Sequence, residues 1–577
     1  MGFMSPALPK LDVAEWSAKS RLERIKPMAR HWAENGFGTP WGVYILYAVK
    51  IGLYVLGGLA FAASTPGIGT LGNLGDWWSE PIVFQKAVIW TLMFEVLGFG
   101  CGFGPLTLRF LPPIGSFLHW LRPGTIRLPP WPGRVPLTAG TKRSIIDIIL
   151  YVAVIASALY LLLSPGDRSA TALDGSTVGL IETSRLVPLA VVLPVIGLRD
   201  KTIFLAARAE HYWVTLLVFF FPYVDMIFAA KLIMMALWWG AATSKLNKHF
   251  PFVVATMMSN APLMPRAFKR RLWKSVPDDI RPSGVARALA HGGTVVEYGV
   301  PLILLSARGG TVTAIALTVM VLFHLQILSA LPMGVPLEWN VMMIFSALFL
   351  FGHNAAYGFS DVTQPLLVFG LFALVPITIV WGNLKPAQVS FLPAMRYYAG
   401  NWATSMWAFS DCAIEKFDAH VIKSSVLPHQ QLQKLYPVDD AALMLGKGYA
   451  FRALHSHGRA LFTLGARAAG AGHESYLFMD GEFVAGVSIG WNFGEGHLHN
   501  EQLLAALQER CNFEDGELRV VMLESQPFGG HTQHYRLVDA AKGQIEEGFV
   551  DVNDMLTRQP WDGSIPLHPM VDGSLTA

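Results

Sequence analysis

The chain has 577 residues, of which 53% are apolar and only 15% charged. It is too long for one compact domain and too poor in charge for an ordinary soluble protein, so the bilayer is the expected solvent. The net charge of +3 hides a split: residues 473–577 hold 17 Asp/Glu against 5 Lys/Arg, while the other 472 residues carry 39 basic and 24 acidic groups. A basic body suits anionic lipid and an acidic tail suits water, and no basic stripe interleaved with aromatics points to nucleic acid.

The three cysteines, Cys101, Cys412 and Cys511, lie far apart, which excludes a disulfide framework and a Cys-x-x-Cys metal knuckle. No signal peptide is expected, because the first apolar run begins near Trp41, after a long charged segment, with no small-residue cleavage site following it. Within residues 1–40, Trp16, Leu22, Ile25, Met28 and Trp32 recur at near-helical spacing among Lys19, Arg21, Arg24 and Arg30. This predicts a basic amphipathic helix interrupted by Pro27. It either lies on the membrane surface or packs on the protein's own loops.

A transmembrane helical domain is expected over 41–385, with spans near 42–63, 83–105, 144–164, 183–199, 294–306, 311–331, 340–356 and 364–382. The three stretches separated by Arg308, Glu338, Asp361 and Lys385 contain no formal charge, and each holds a span of roughly 20 residues. The apolar run 212–242 is interrupted by Pro222 and Asp225. Eight to ten crossings follow from this pattern, some of them short or broken.

Lys/Arg bias orients the chain. Segment 1–40 is basic, loop 64–82 has no Lys or Arg, loop 106–143 has six, and 245–287 has nine. The basic segments are assigned to the cytoplasm, which brings both termini inside a cell (inner or plasma) membrane. That parity requires 212–242 to cross twice or re-enter, as a hairpin of broken helices hinged at Pro222 and Asp225.

Residues 386–425 read as a linker or interfacial helix, and 426–577 as a soluble acidic α+β domain. There Ser475–Met479 and Phe483–Ile489 look like a hairpin around Gly481 and Glu482. Asn500 reads as the cap of a helix over Glu501–Arg510, and Leu518–Leu523 and His534–Val538 as strands. The fold class is thus a multi-spanning α-helical membrane protein with a C-terminal soluble α+β domain.

Ionisable residues within spans are functional candidates by default. Here these are Glu95, Asp147, His211, Asp225, Lys231, Glu297, His324 and His353. Asp147 and Lys50 stand near span ends, where snorkelling explains them, and pairing with a cation explains Glu95. Lys245 follows Trp238, Trp239, Gly240, Ala241, Ala242, Thr243 and Ser244, a run of small residues beside a bulky aromatic pair. It is either an ordinary positive-inside anchor or a desolvated lysine able to act as a general base.

The runs Asp200–Lys201, Glu210–Trp213, Gly240–Asn247, Glu297–Leu304 and Leu322–His324 together resemble the membrane core of the vitamin K-dependent gamma-carboxylase superfamily, over about 180–355. Bacterial members of that superfamily are horizontally transferred transmembrane (HTTM) domains. The resemblance implies that Lys245 is a catalytic base, with His211 and His324 as active-site histidines of a carboxylase- or oxidoreductase-like membrane enzyme. Beside them, Glu297, Asp225 and Trp239 are candidates for holding a bound quinone or lipid. Ser244 stands where the carboxylase has a second Lys, and the tail does not resemble the carboxylase's lumenal domain. The whole chain, including Arg396–Trp402, also resembles an actinobacterial, mycobacterial-type transmembrane family of unknown function. The opposing expectation is a non-catalytic lipid-binding, transport or scaffold protein, with membrane lipids as partners and a cytoplasmic protein recruited by residues 426–577.

Three histidine pairs stand in the tail: His455 and His457, His497 and His499, His531 and His534. Alternate strand positions put two imidazoles on one face, where they can chelate zinc, but no carboxylate stands at diagnostic spacing. They read as loop histidines, and no metal is expected.

Overall fold

The structure, a computed structural model, describes residues 2–100, 115–330 and 337–570. In chain order, α1 (Arg21–Asn35) precedes the membrane body, which comprises α2 (Trp41–Ala63), α3 (Pro81–Val96), α4 (Ile145–Leu162), α5 (Thr183–Arg199), α6 (Tyr212–Val218), α7 (Tyr223–Ser244), α8 (Phe250–Asn260), α9 (Gly284–Ser306), α10 (Gly310–Leu328), α11 (Leu337–Ala347) and α12 (Pro365–Leu384). Six of the described helices, α2, α4, α7, α9, α10 and α12, are long and apolar enough to cross a membrane. Helix α11 adds a shorter apolar segment by continuing to His353 through a widened turn, in which Asn354 N–H donates to Phe349 O at 3.0 Å.

Burial sorts these helices. The apolar window of α7 is 89% buried and those of α2 and α12 are 17% buried, so α7 is the axis and the others present most of their surface outward. An apolar helix with an exposed apolar surface is stable only against lipid. Loops at one end of the bundle are stitched together: Arg168 donates to Phe219 O and Phe221 O, Leu173 N–H to Tyr357 OH, and Lys231 Nζ to Asn354 O (2.8 Å), Ala355 O (3.3 Å) and Tyr357 O (2.6 Å). At the other end the basic loops meet the C-terminal domain. Trp120 Nε1 donates to Ile489 O at 2.9 Å, Gln502 Nε2 to Pro129 O at 2.6 Å and Lys201 Nζ to His497 O at 2.9 Å.

The C-terminal domain is built on a six-stranded antiparallel sheet: β1 (Thr404–Phe409), β2 (Leu477–Asp480), β3 (Leu518–Leu523), β4 (Thr532–Asp539), β5 (Gly543–Asp551) and β6 (His568–Pro569), in spatial order β6-β5-β4-β3-β1-β2. The helix Gly458–Ala469 and α14 (Gly481–Ser488) pack on it, and the domain also contains α13 (Val438–Leu454) and α15 (Glu501–Cys511). Strands β3 and β4 and helix α15 lie where the sequence puts them, with the Asn500 side chain accepting from Gln502 N–H as the cap.

Several expectations are corrected. Residues 386–425 are not simply a linker, because they supply β1, an interior strand with all six positions buried. Phe483–Ile489 is not a strand. Asp480 caps Glu482 N–H and starts α14, so β2 pairs with the distant β1 in place of its sequence neighbour. Helix α1 runs through Pro27, which removes one donor without ending it. Its apolar face, Ile25, Met28, Ala29 and Trp32, is buried against α8 and α13, with Trp32 Nε1 donating to Thr256 O at 3.0 Å. In the membrane body, α9 begins ten residues before the expected 294, because Arg287 and His291 in its first turns break the apolar signal. Part of the 83–105 segment and the end of the 311–331 segment lie outside the described residues. The 212–242 run does break at Pro222, which caps α7, but Asp225 sits within an unbroken 22-residue helix.

Candidate functional site

Lys245 closes the last turn of α7, and the chain reverses at once, because Asn247 Oδ1 accepts from His249 N–H (2.7 Å) and Phe250 N–H (3.0 Å) to launch α8. The small residues before it allow close approach: a Cβ on Gly240 would lie 2.8 Å from Met395 Cβ. Lys245 is buried, and its ammonium donates to Glu297 Oε1 at 2.5 Å and Oε2 at 2.6 Å, with the Phe250 and Phe323 rings 5.3 and 5.9 Å away. Glu297 projects from α9 and is buried as well. A buried charge is tolerated when paired, and here the pairing uses both oxygens.

His324 on α10 receives a hydrogen bond from Trp238 Nε1 at its Nε2 (3.1 Å), and its Nδ1 faces Asn340 Oδ1 at 2.9 Å. Indole N–H only donates, so Nε2 carries no proton and the ring is the neutral tautomer that donates from Nδ1. His211 is fixed likewise, with Trp339 Nε1 donating to its Nδ1 at 3.1 Å.

Lys245, Glu297 and His324 line one cavity of about 510 Å³. Its outer lining includes Leu289 and Gly293 of α9 and Leu322 and Gln326 of α10, of which Leu289, Leu322 and Gln326 are exposed on the outward faces of those helices. Its inner wall is Trp238, Trp339, Asn340, Tyr397, Tyr398 and Phe493. The mouth is therefore lateral, between two lipid-facing helices, in the half of the body nearest the C-terminal domain. The volume falls within the roughly 300–1,000 Å³ of small-molecule sites.

Of the other residues singled out from sequence, His211 stands behind the wall, in contact with Trp339. Asp225 is remote, its carboxylate accepting from Thr363 N–H and Gln364 N–H, both at 2.9 Å, at the start of α12. Trp239 points away from the cavity and donates to Tyr298 O at 3.0 Å, joining α7 to α9. Asp147 pairs with Arg199 at 2.5 Å and Lys50 with Glu338 at 2.8 Å.

The inner floor was invisible in the sequence. Arg208, fully buried, lies between the Trp339, Tyr397 and Phe493 rings at 5.4, 5.3 and 5.9 Å, and its Nε donates to Glu210 Oε1 at 2.8 Å. Arg208, Met395 and Tyr398 have φ of 51°, 50° and 44°, three of the five non-glycine residues in the left-handed region among the described residues. Such backbone persists only where surrounding packing holds it, and it gathers at working sites.

Below the floor, His249 bridges body and tail, with Nδ1 2.6 Å from Ser456 Oγ and Nε2 2.8 Å from Gln526 Oε1. Burial lowers its pKa to about 4. His455 and His457 stack with centroids 5.7 Å apart, Arg452 reaches His457 Nε2 at 2.6 Å, and Arg452 pairs with Asp480. His499 Nδ1 meets Ser405 Oγ at 2.5 Å, and His497 Nε2 meets Glu524 Oε2 at 3.0 Å. Among the described residues, no group of three or more His, Cys, Asp or Glu is placed to hold a metal ion.

No curated protein and no solved structure matches the chain. A family model does match, over residues 1–570, and its description, transmembrane protein of unknown function, agrees with six described helices long and apolar enough to cross a membrane. The chain belongs to that membrane-embedded family, DUF3556.

Proposed function

We propose that this protein binds a lipophilic molecule taken directly from the bilayer. The observation that carries the reading is a cavity with a lateral mouth between α9 and α10, lined there by Leu289, Gly293 and Leu322 with the polar Gln326 beside them, and furnished with Lys245, Glu297, His324 and Asn340 within. An apolar moiety needs no water to enter there, and the convergent polar groups can orient its head. Gly293 lines the mouth, where a Cβ would meet Phe323 at 3.5 Å. Gly293→Trp is therefore expected to plug the mouth and to weaken binding of a fluorescent lipid to purified protein by at least ~10-fold, the scale of one lost apolar anchor. Unchanged affinity would remove the proposal.

A second reading, chemistry on the bound molecule, is favoured by Lys245 and His324 lining one cavity, and it accords with the gamma-carboxylase-like resemblance of residues 180–355. Lys245 would be its base, with His324, and His211 behind Trp339, positioning the substrate. As an ammonium held by both Glu297 oxygens, Lys245 becomes a base only if its proton passes to that carboxylate. Turnover that persists in Lys245→Ala would dispose of this role.

The face bearing the basic loops and the C-terminal domain is assigned to the cytoplasm of a cell membrane, on Lys/Arg bias. Cys412 is exposed in the C-terminal domain. In a chain retaining Cys412 as its single cysteine, a membrane-impermeant maleimide is expected to label it only after the cells are permeabilised. Labelling in intact cells would invert the orientation.

A further inference from the structure

Resting on the proposed binding of a lipophilic molecule, we infer that the cavity selects an uncharged amphiphile and rejects lipids with an anionic head. Among the residues lining it, Lys245 and Glu297 alone carry formal charge near neutral pH, and each cancels the other through two hydrogen bonds. His324, the remaining basic group in the lining, is held neutral because its Nε2 accepts from Trp238 while its Nδ1 donates to Asn340. Behind the floor the arrangement repeats: Arg208 is matched by Glu210, whose Oε1 also faces Tyr397 OH at 3.2 Å. Lys245–Glu297 in the lining and Arg208–Glu210 behind it are thus each one-to-one pairs, and the lining as a whole carries no net charge.

Neutrality decides the ligand because the site is desolvated. A phosphate or carboxylate head brought beside a completed ion pair must either remain unpaired, which is costly in an apolar enclosure, or displace Glu297 and leave that carboxylate unpaired instead. A hydroxyl or carbonyl head meets no such penalty. It can hydrogen-bond to the pair, or exchange for the Asn340 or Trp238 contacts, while its chains extend towards Leu289 and Leu322. The chemical class is therefore a neutral lipid with a compact hydrogen-bonding head.

The test uses the full-length protein in detergent, with diacylglycerol and phosphatidic acid of identical chains as probes. Diacylglycerol is expected to bind at least ~30-fold more tightly, since an unpaired buried charge is worth more than a decade of affinity. In Glu297→Gln, which leaves the Lys245 charge unmatched, preference is expected to move to phosphatidic acid. In the double variant Lys245→Gln/Glu297→Gln the preference for the neutral probe should return, which also guards against misfolding of the single variant. Equal or tighter binding of phosphatidic acid by the unaltered protein overturns the inference while leaving lipid binding intact, and binding of neither probe by a folded protein overturns the binding proposal itself. An unchanged preference in a folded Glu297→Gln overturns the role of charge balance.

Discussion

Four histidines at the seam between the membrane body and the C-terminal domain are kept neutral by burial: His249 is lowered to about 4, His455 and His499 to about 3, and His457 is pushed down as well, Arg452 adding to the effect on the last three. A histidine with a depressed folded pKa takes up its proton in the unfolded chain first, so stability is retained above the ordinary value of 6.5 and lost as pH falls below it. Burial lifts Glu482 to about 7 against the pull of Arg452, and raises Glu495. These two act in the opposite sense, but the four histidines outnumber them. Stability is therefore expected to fall as pH drops from 6.5 towards 4.5. Thermal melting of purified protein across that range checks this, and a flat profile would contradict it. At this scale His324 was conspicuous in sequence as an ionisable group within an apolar run, whereas Lys245, following Thr243 and Ser244, read equally well as an ordinary anchor and was singled out by the resemblance. Asn340, Tyr397 and Phe493 were not, being ordinary residues made significant by contact.

Helices of the membrane body follow from their apolar runs and break where proline and charge dictate. Lys231 is the exception that structure explains. Inside the buried α7, its ammonium donates to three carbonyls, of Asn354, Ala355 and Tyr357, that follow the widened turn after α11. Lys231→Met leaves the Ala355 and Tyr357 carbonyls without their Lys231 donor, while Asn354 O still accepts from Tyr357 N–H, at about 1–3 kcal/mol for each orphaned carbonyl before the relief from removing a desolvated ammonium is counted. A net loss of roughly 2 kcal/mol or more is expected, visible as a lower melting temperature with unchanged lipid affinity, since Lys231 does not line the cavity. An unaltered melting temperature would show that the three bonds contribute nothing. In the C-terminal domain the local signal was ambiguous: Phe483–Ile489 alternates well enough for a strand, and only the Asp480 cap and the pairing of β2 with β1 decide for a helix.

At the scale of the whole molecule, the C-terminal domain belongs to the site, because Phe493 forms part of the cavity floor and α1 packs on α13. Removing residues 386–577 would expose Ile25, Met28 and Trp32 together with the inner cavity wall. The truncated chain is expected to aggregate on extraction, and size-exclusion chromatography reports it. A monodisperse product with intact lipid affinity would show the domain to be dispensable.

Length, composition and the spacing of charge determine the membrane body, its broken helix at Pro222 and the residues within it that chemistry requires to be paired, because an unpaired ion deep in an apolar span is costly whatever its neighbours in sequence. What tertiary structure alone decides is which partner each ion finds and what closes the cavity. Glu297 lies 52 positions from Lys245 and Phe493 lies 248 positions from it. Local periodicity reports which face of an element is apolar, and contacts across such distances are fixed only when those faces pack.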